Sequence, residues 1–300
     1  MVTAEIPESL ARFEIPGRLV FQEGNGELVK MAITSDASTA EVYLHGAHVT
    51  GFQKKGEAPL LFLSQFSRYE ARQPIRGGIP IIFPWFGPRE GEQTHGFART
   101  SEWCLHEATT VPEGGVSLRF GLPLQPEAGF CPRFLANYVV TVTDRLTLEL
   151  ILTNVSPGQD CEVENCLHTY FQVGDIEAVS ILGLEGAGYL DQMENFAAKT
   201  PSQAPLKIAA EVDRIYPDAA SAVEIVDERL RRKIRVEKSG SLSTVVWNPW
   251  IAKAQRMPDF GNDEYRQMIC VESGNVAQNR RVLPPGQSAV LKVILSTEPL

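Results

Sequence analysis

An apolar residue at every second position, repeated in segment after segment, most restricts what this chain can fold into. Val116, Leu118, Phe120 and Leu122 alternate with Ser117, Arg119 and Gly121. Leu146, Leu148, Leu150 and Leu152 alternate with Thr147, Glu149, Ile151 and Thr153. Ile234 and Val236 alternate with Lys233, Arg235 and Glu237, and Leu291, Val293 and Leu295 repeat the rhythm near the C-terminus. Successive side chains of a strand point to opposite faces, so this period marks half-buried antiparallel strands. Further strands are predicted at 28–33, 41–44, 49–52, 59–63, 103–106, 137–143, 161–171, 244–247 and 268–272. Turn residues separate many of them, as at Gly24-Asn-Gly26, Pro112-Glu-Gly-Gly115, Pro157-Gly158 and Pro284-Pro-Gly286. Helical periodicity is confined to short stretches such as 221–230.

Many short strands with frequent turns predict an all-β sandwich or barrel. Length alone, 300 residues, is compatible with two domains. There is, however, no Ser/Gly-rich linker, low-complexity tract or repeat of fixed period. One domain spanning 1–300 is the simplest organisation.

With 37 acidic and 28 basic residues the formal net charge is −9. That disfavours nucleic acid or an anionic membrane as a partner, yet leaves room for a few converging arginines to hold a small anion. The N-terminal segment is acidic and has no basic n-region, and no apolar run approaches the ~20 residues that span a bilayer, so a cytoplasmic location is expected. Cys104, Cys131, Cys161, Cys166 and Cys270 show no CxxC spacing and read as reduced, buried thiols.

Four segments put polar chemistry where a plain sandwich would not. Arg76 precedes Gly77-Gly78 and the apolar run to Phe86; glycines there let the backbone approach a ligand closely, or simply let a loop enter a strand. His95 and Arg99 flank Gly96-Phe-Ala98. His168 follows Asn165-Cys-Leu167 and would share a strand face with Cys166 and Tyr170, either as a satisfied core histidine or as an acid or base in a cleft. Glu272 ends the apolar run Met268–Val271, an unfavourable place for a carboxylate unless it is paired or used. His45 and His48 lack recognisable partner ligands, so no metal site is expected. P-loop, dinucleotide-binding and Gly-x-Ser-x-Gly signatures are absent, so no cofactor is expected either.

In order along the chain, Arg76-Gly-Gly-Ile-Pro80, His95-Gly-Phe-Ala-Arg99, Leu167-His-Thr-Tyr-Phe171, Tyr189-Leu-Asp191, Val246-Trp-Asn-Pro-Trp250 and Cys270-Val-Glu272 resemble the aldose 1-epimerase (galactose mutarotase-like) family, in its hexose-phosphate mutarotase branch. The resemblance implies a large antiparallel β-supersandwich with a carbohydrate cleft. It implies interconversion of the α and β anomers of a hexose 6-phosphate such as D-glucose 6-phosphate, with no cofactor and with a monomer favoured. It also implies His168 as general acid, Glu272 as general base, and Arg76, His95, Arg99 and Asp191 as substrate contacts. Thr94 and Gln192 stand where relatives often carry Gln and Lys, respectively. If that Lys touches phosphate, one positive contact is missing here.

The chemistry matches the inventory. Exchange of anomers needs one proton removed from the C1 hydroxyl and one delivered to the ring oxygen, and a base and an acid suffice. Attraction between Glu272 carboxylate and His168 imidazolium would favour the working charge state. Trp85 or Trp247 would offer a sugar an apolar surface. The alternatives are a mutarotase for unphosphorylated aldoses, disfavoured by the two arginines, and a non-catalytic carbohydrate-binding module, disfavoured by the acid–base pair.

Overall fold

Leu146, Leu148, Leu150 and Leu152 are fully buried, and the residues between them are half-buried. The alternation read from the sequence is therefore the real face pattern of the strand Leu146–Asn154. In a computed structural model of the chain, which describes residues 6–123, 133–200 and 203–300, this strand sits inside an eight-stranded antiparallel sheet. Its order is Val179–Leu182, Val223–Asp227, Arg232–Ser239, Ser288–Pro299, Leu146–Asn154, Phe134–Val142, Gly115–Leu122, Cys104–Val111.

A second eight-stranded sheet carries the polar segments. Its path runs Ala197–Lys199, Tyr189–Asp191, Val212–Tyr216, Ser243–Asn248, Met268–Asn275, Asn165–Leu167, Ile81–Ile82, and Tyr170–Gln172 also pairs with Met268–Asn275. All of its pairings are antiparallel. Ser243–Asn248 and Met268–Asn275 are buried at every position, so both faces of its centre are covered. A four-stranded sheet (Leu19–Glu23, Val29–Thr34, Ser38–Tyr43, His48–Lys54) and a two-stranded one (Cys161–Val163, Arg281–Leu283) complete the β structure among the described residues. One contiguous cluster of buried apolar side chains draws on both large sheets, from Leu10 to Leu295. Each fully buried Leu or Ile in it contributes about 1.5–3 kcal/mol.

Three expectations of secondary structure fail. The stretch 221–230 is not a helix. Val223–Asp227 is a strand with Val223, Ile225 and Asp227 buried, and it forms a hairpin with Arg232–Ser239. The buried Asp227 carboxylate accepts hydrogen bonds from the N–H groups of Arg229 and Leu230, which turns the chain where a helix would have continued. The stretch 161–171 is three short strands rather than one, and His168 lies in the second break. Residues 59–63 form no strand and have only isolated β-bridges, at Leu61 and Leu63. Cys161, Cys166 and Cys270 are buried as expected; Cys104, contrary to expectation, is exposed, and Cys131 lies outside the described residues. Among the described residues no helix is long and apolar enough to cross a membrane.

Candidate active site

Directly opposed residues of antiparallel strands share a face. Register therefore places Asp213, Trp247, Cys270 and Tyr170 in one row across the second sheet, because Asp213 pairs with Trp247, Trp247 with Cys270 and Cys270 with Tyr170. Glu272, two residues beyond Cys270, projects from the same face. Contrary to the sequence reading, it lies inside its strand rather than at the end, and it is 1% exposed. Loops close over this face. Together they enclose a cavity of about 400 Å³ lined by Arg76, His95, Arg99, His168, Asp213, Trp247, Lys253 and Glu272, among others.

His168 and Glu272 meet: imidazole Nε2 lies 3.2 Å from carboxyl Oε1. The other oxygen, Oε2, accepts a 3.5 Å hydrogen bond from the Cys166 thiol. The His168 ring stacks on Tyr170 (centroids 4.9 Å, 15° apart) and meets His95 edge to face at 5.8 Å. Burial pushes His168 well below the usual histidine range, reinforced by His95, Arg99 and Arg76. Burial, reinforced by Asp213, pushes Glu272 well above the usual carboxylate range. Both directions favour the uncharged pair. This runs against the expected carboxylate–imidazolium state, because burial penalises both charges. Both states hold the same number of protons and differ by one transfer across the 3.2 Å contact.

The arginines are held differently. Arg76 Nε and Nη2 donate to Asp259 Oδ2 at 3.1 and 3.0 Å, and Nη1 donates to Tyr170 Oη at 3.0 Å. One N–H on each terminal nitrogen remains for a ligand. Burial opposes its charge, but Tyr170 and Asp259 outweigh that and raise its pKa. Among the described residues Arg99 donates only to the Thr94 carbonyl, at 2.7 Å, and its buried Nε has no partner. Burial and the nearby Arg76 lower Arg99 to about 10, still cationic at neutral pH. His95 adopts a left-handed backbone (φ +69°). Its Nδ1 accepts the Gly87 N–H at 3.0 Å, which places the ring proton on Nε2. Burial, with Arg99 and Arg76, lowers it to about 3, so it is a neutral donor.

Asp191 does not join this group. It pairs with Arg214, the residue after Asp213, and so faces the opposite side of the sheet; its carboxylate accepts from Met193 N–H at 3.0 Å and caps a turn. Asp213 takes the place the sequence reading gave to it. Gln192 Nε2 donates to Asp213 Oδ1, and Lys253 Nζ stands 3.8 Å from Oδ2. Asp213, Lys253 and Asp259 were all missed, since polar residues on a strand or loop carry no mark of which surface they meet. Trp247 lines the cavity; Trp85 does not, and its Nε1 donates to Gln93 O. The glycines after Arg76 serve the fold: a Cβ on Gly77 would meet Phe62 O at 2.5 Å, and one on Gly78 would meet Val49 O at 2.3 Å.

A metal would find one trio of donors here. Ligand atoms of His168, Cys270 and Glu272 lie within 4.8 Å of one another, a set of the N, S and O type that zinc takes. His45 and His48 are engaged elsewhere, each Nε2 against a backbone carbonyl (Gln73 at 2.7 Å, Gly77 at 2.8 Å).

Burial raises Asp213 from the ordinary 3.8 to about 6, against the opposing pull of Lys253. A carboxyl raised in the folded state holds a proton that the unfolded chain has lost, so stability falls as pH rises from about 4 through about 6. Asp213→Asn should therefore leave stability unchanged below pH 4. Above pH 6 it should raise stability by roughly 1–2 kcal/mol, after allowance for partial exposure. Denaturant unfolding at pH 4 and pH 7.5 checks this; an equal change at both would rule out the raised carboxyl.

A β-supersandwich whose concave cavity holds a carboxyl–imidazole pair is the framework of a sugar mutarotase. The family profile for aldose 1-epimerase matches residues 30–296, and the chain belongs to that family. It is 33% identical over 269 residues to a Cenchrus ciliaris protein provisionally named glucose-6-phosphate 1-epimerase, covering 87% of this chain and 82% of that one. An Escherichia coli K12 protein with the same provisional name is 33% identical over 262 residues, covering 85% and 86%. The crystal structure of a Salmonella typhimurium protein provisionally described as a mutarotase superposes with a TM-score of 0.87 at 27% identity, over 96% of each chain.

Proposed function

We propose that this single-domain chain interconverts the α and β anomers of a hexose 6-phosphate, D-glucose 6-phosphate first among them. His168 and Glu272 exchange the protons, and Arg76 and Arg99 hold the phosphate. The observation that carries this reading is the 3.2 Å His168–Glu272 contact in the same cavity as Arg99, whose buried Nε has no partner. A guanidinium kept charged and unsatisfied away from water is costly unless an anion completes it.

In the reaction, Glu272 as carboxylate removes the proton of the C1 hydroxyl while His168 as imidazolium protonates the ring oxygen. The bond between C1 and the ring oxygen breaks, and C1 becomes an aldehyde. Rotation about C1–C2 presents the other face, and the same transfers run backwards to close the ring. O1 and the ring oxygen are attached to one carbon, so an acid and a base in mutual contact reach both. His95 Nε2–H and Asp213 would fix the sugar hydroxyls, and Trp247 would offer an apolar face. Asp191, once expected to contact substrate, is left out of this scheme.

Exchange NMR of glucose 6-phosphate at anomeric equilibrium tests the proposal. Cross-peaks between the two H1 signals should grow faster with the protein than without it, and free glucose and galactose should respond far less. Acceleration of the free sugars alone would overturn the phosphate assignment; no acceleration of any hexose would overturn catalysis.

A further inference from the structure

We propose that the chain carries a second ligand site, on the reverse face of the sheet that holds the cleft, and that this site takes a small phosphorylated sugar. It is separate from the cleft of the proposed function and does not depend on that reading.

Strand alternation keeps the two apart. Asp213 lines the cleft, so Arg214, the next residue of Val212–Tyr216, points to the other side of the sheet. Tyr216, two residues on, shares that side. Asp191 pairs with Arg214 across the sheet, so Tyr189, two residues before Asp191, joins them. These side chains meet. The Tyr189 and Tyr216 ring centroids are 5.3 Å apart, and the Arg214 guanidinium sits 4.4 Å from the centre of the Tyr189 ring. Residues 204–207 supply a second wall. Leu206 exchanges backbone hydrogen bonds with Ile181 at 2.9 and 3.0 Å, which ties that wall to Val179–Leu182, the edge strand of the other large sheet. Between the walls lies a cavity of about 310 Å³, lined also by Leu184, Thr200 and Lys207.

The lining sets the ligand class. Two cations, Arg214 and Lys207, reach the cavity and no carboxylate does. In a chain of net charge −9 that is a local reversal of sign, which favours an anion. Acids on the neighbouring segments are occupied elsewhere: Asp191 accepts from Met193 N–H at 3.0 Å, and Glu194 pairs with Lys199. Among the described residues neither Arg214 nor Lys207 forms an ion pair. A guanidinium fork and an ammonium group suit the oxygens of a phosphate. Tyr189, Tyr216 and Thr200 offer hydroxyl groups to a sugar, and Leu184 and Leu206 suit the C–H face of a pyranose. The volume is at the lower end of the roughly 300–1,000 Å³ of small-molecule sites.

The probe is α-D-glucose 1-phosphate, whose anomeric centre is locked as an ester, so acid–base ring opening cannot turn it over. The chain has seven tyrosines. Ring ¹³C labelling, with signals assigned by single replacements with Phe, reads them separately: Tyr189 and Tyr216 report the pocket, and Tyr170 reports the cleft. Saturable shifts of the Tyr189 and Tyr216 signals are expected. Lys207→Glu, a change at an exposed side chain, should weaken that binding by about tenfold or more, the loss of one charge-assisted contact, and leave the Tyr170 response as it was. Inorganic phosphate and free glucose should each need much higher concentrations to produce the same shifts. Shifts at Tyr170 alone would put all binding in the cleft and overturn the inference, as would parental affinity in Lys207→Glu. Equal affinity for inorganic phosphate would reduce the pocket to an anion patch and overturn the sugar assignment. None of these readings involves turnover, so the inference stands or falls apart from the proposed function.

Discussion

Glu272→Gln should slow anomer exchange by about 10²–10⁴-fold without harm to the fold, the loss expected when one positioned proton-transfer group is removed. The amide keeps the shape of the protonated carboxyl and can still meet His168 and Cys166, so packing is preserved. Stability should even rise with pH relative to the parent. Burial raises Glu272 well above the ordinary range, so the folded parent becomes less stable as pH climbs above the unfolded value of about 4.3, a penalty the amide does not share. Exchange NMR for activity and denaturant unfolding for stability read the two effects separately. His168→Ala should lose activity on the same scale. Near-parental turnover in either variant would remove the assigned roles.

Arg99→Ala should reduce kcat/KM for glucose 6-phosphate by roughly 10–150-fold, the equivalent of one charge-assisted hydrogen bond at about 1.5–3 kcal/mol. The effect on unphosphorylated glucose should be much smaller. Arg76→Ala is a less specific probe, because it also strips the partner from Asp259 and Tyr170. Equal losses on phosphorylated and free sugar would show that Arg99 supports the loop around Thr94 rather than binding phosphate.

Much of the fold was legible because a half-buried strand declares itself by alternation. Leu146–Asn154 and Arg232–Ser239 were readable for that reason. The hairpin at 223–227 was misread because five residues are too few to separate a period of two from one of 3.6, and its closing turn depends on the side chain of Asp227. The site was legible through family resemblance rather than residue physics. Arg76, His95, Arg99, His168 and Glu272 converge as that resemblance implied. Asp191 failed where register decides: its partner across the sheet is Arg214, so the neighbouring Asp213 owns the opposite face. Nothing in one strand's sequence states its register with the next. Charge state was equally hidden, since it follows from how deeply the fold buries the pair.

The two halves of the cleft rest on supports of different strength. Glu272 is carried by Met268–Asn275, buried along its whole length and bonded to neighbours on both sides. Arg76 and His95 come from irregular loops, and Arg99 from a single short turn. Segments of the second kind open at lower free energy than central strands. Under mild heat or denaturant the chain should therefore lose its taste for phosphate before its capacity to move protons, passing through a promiscuous mutarotase on the way to the unfolded state.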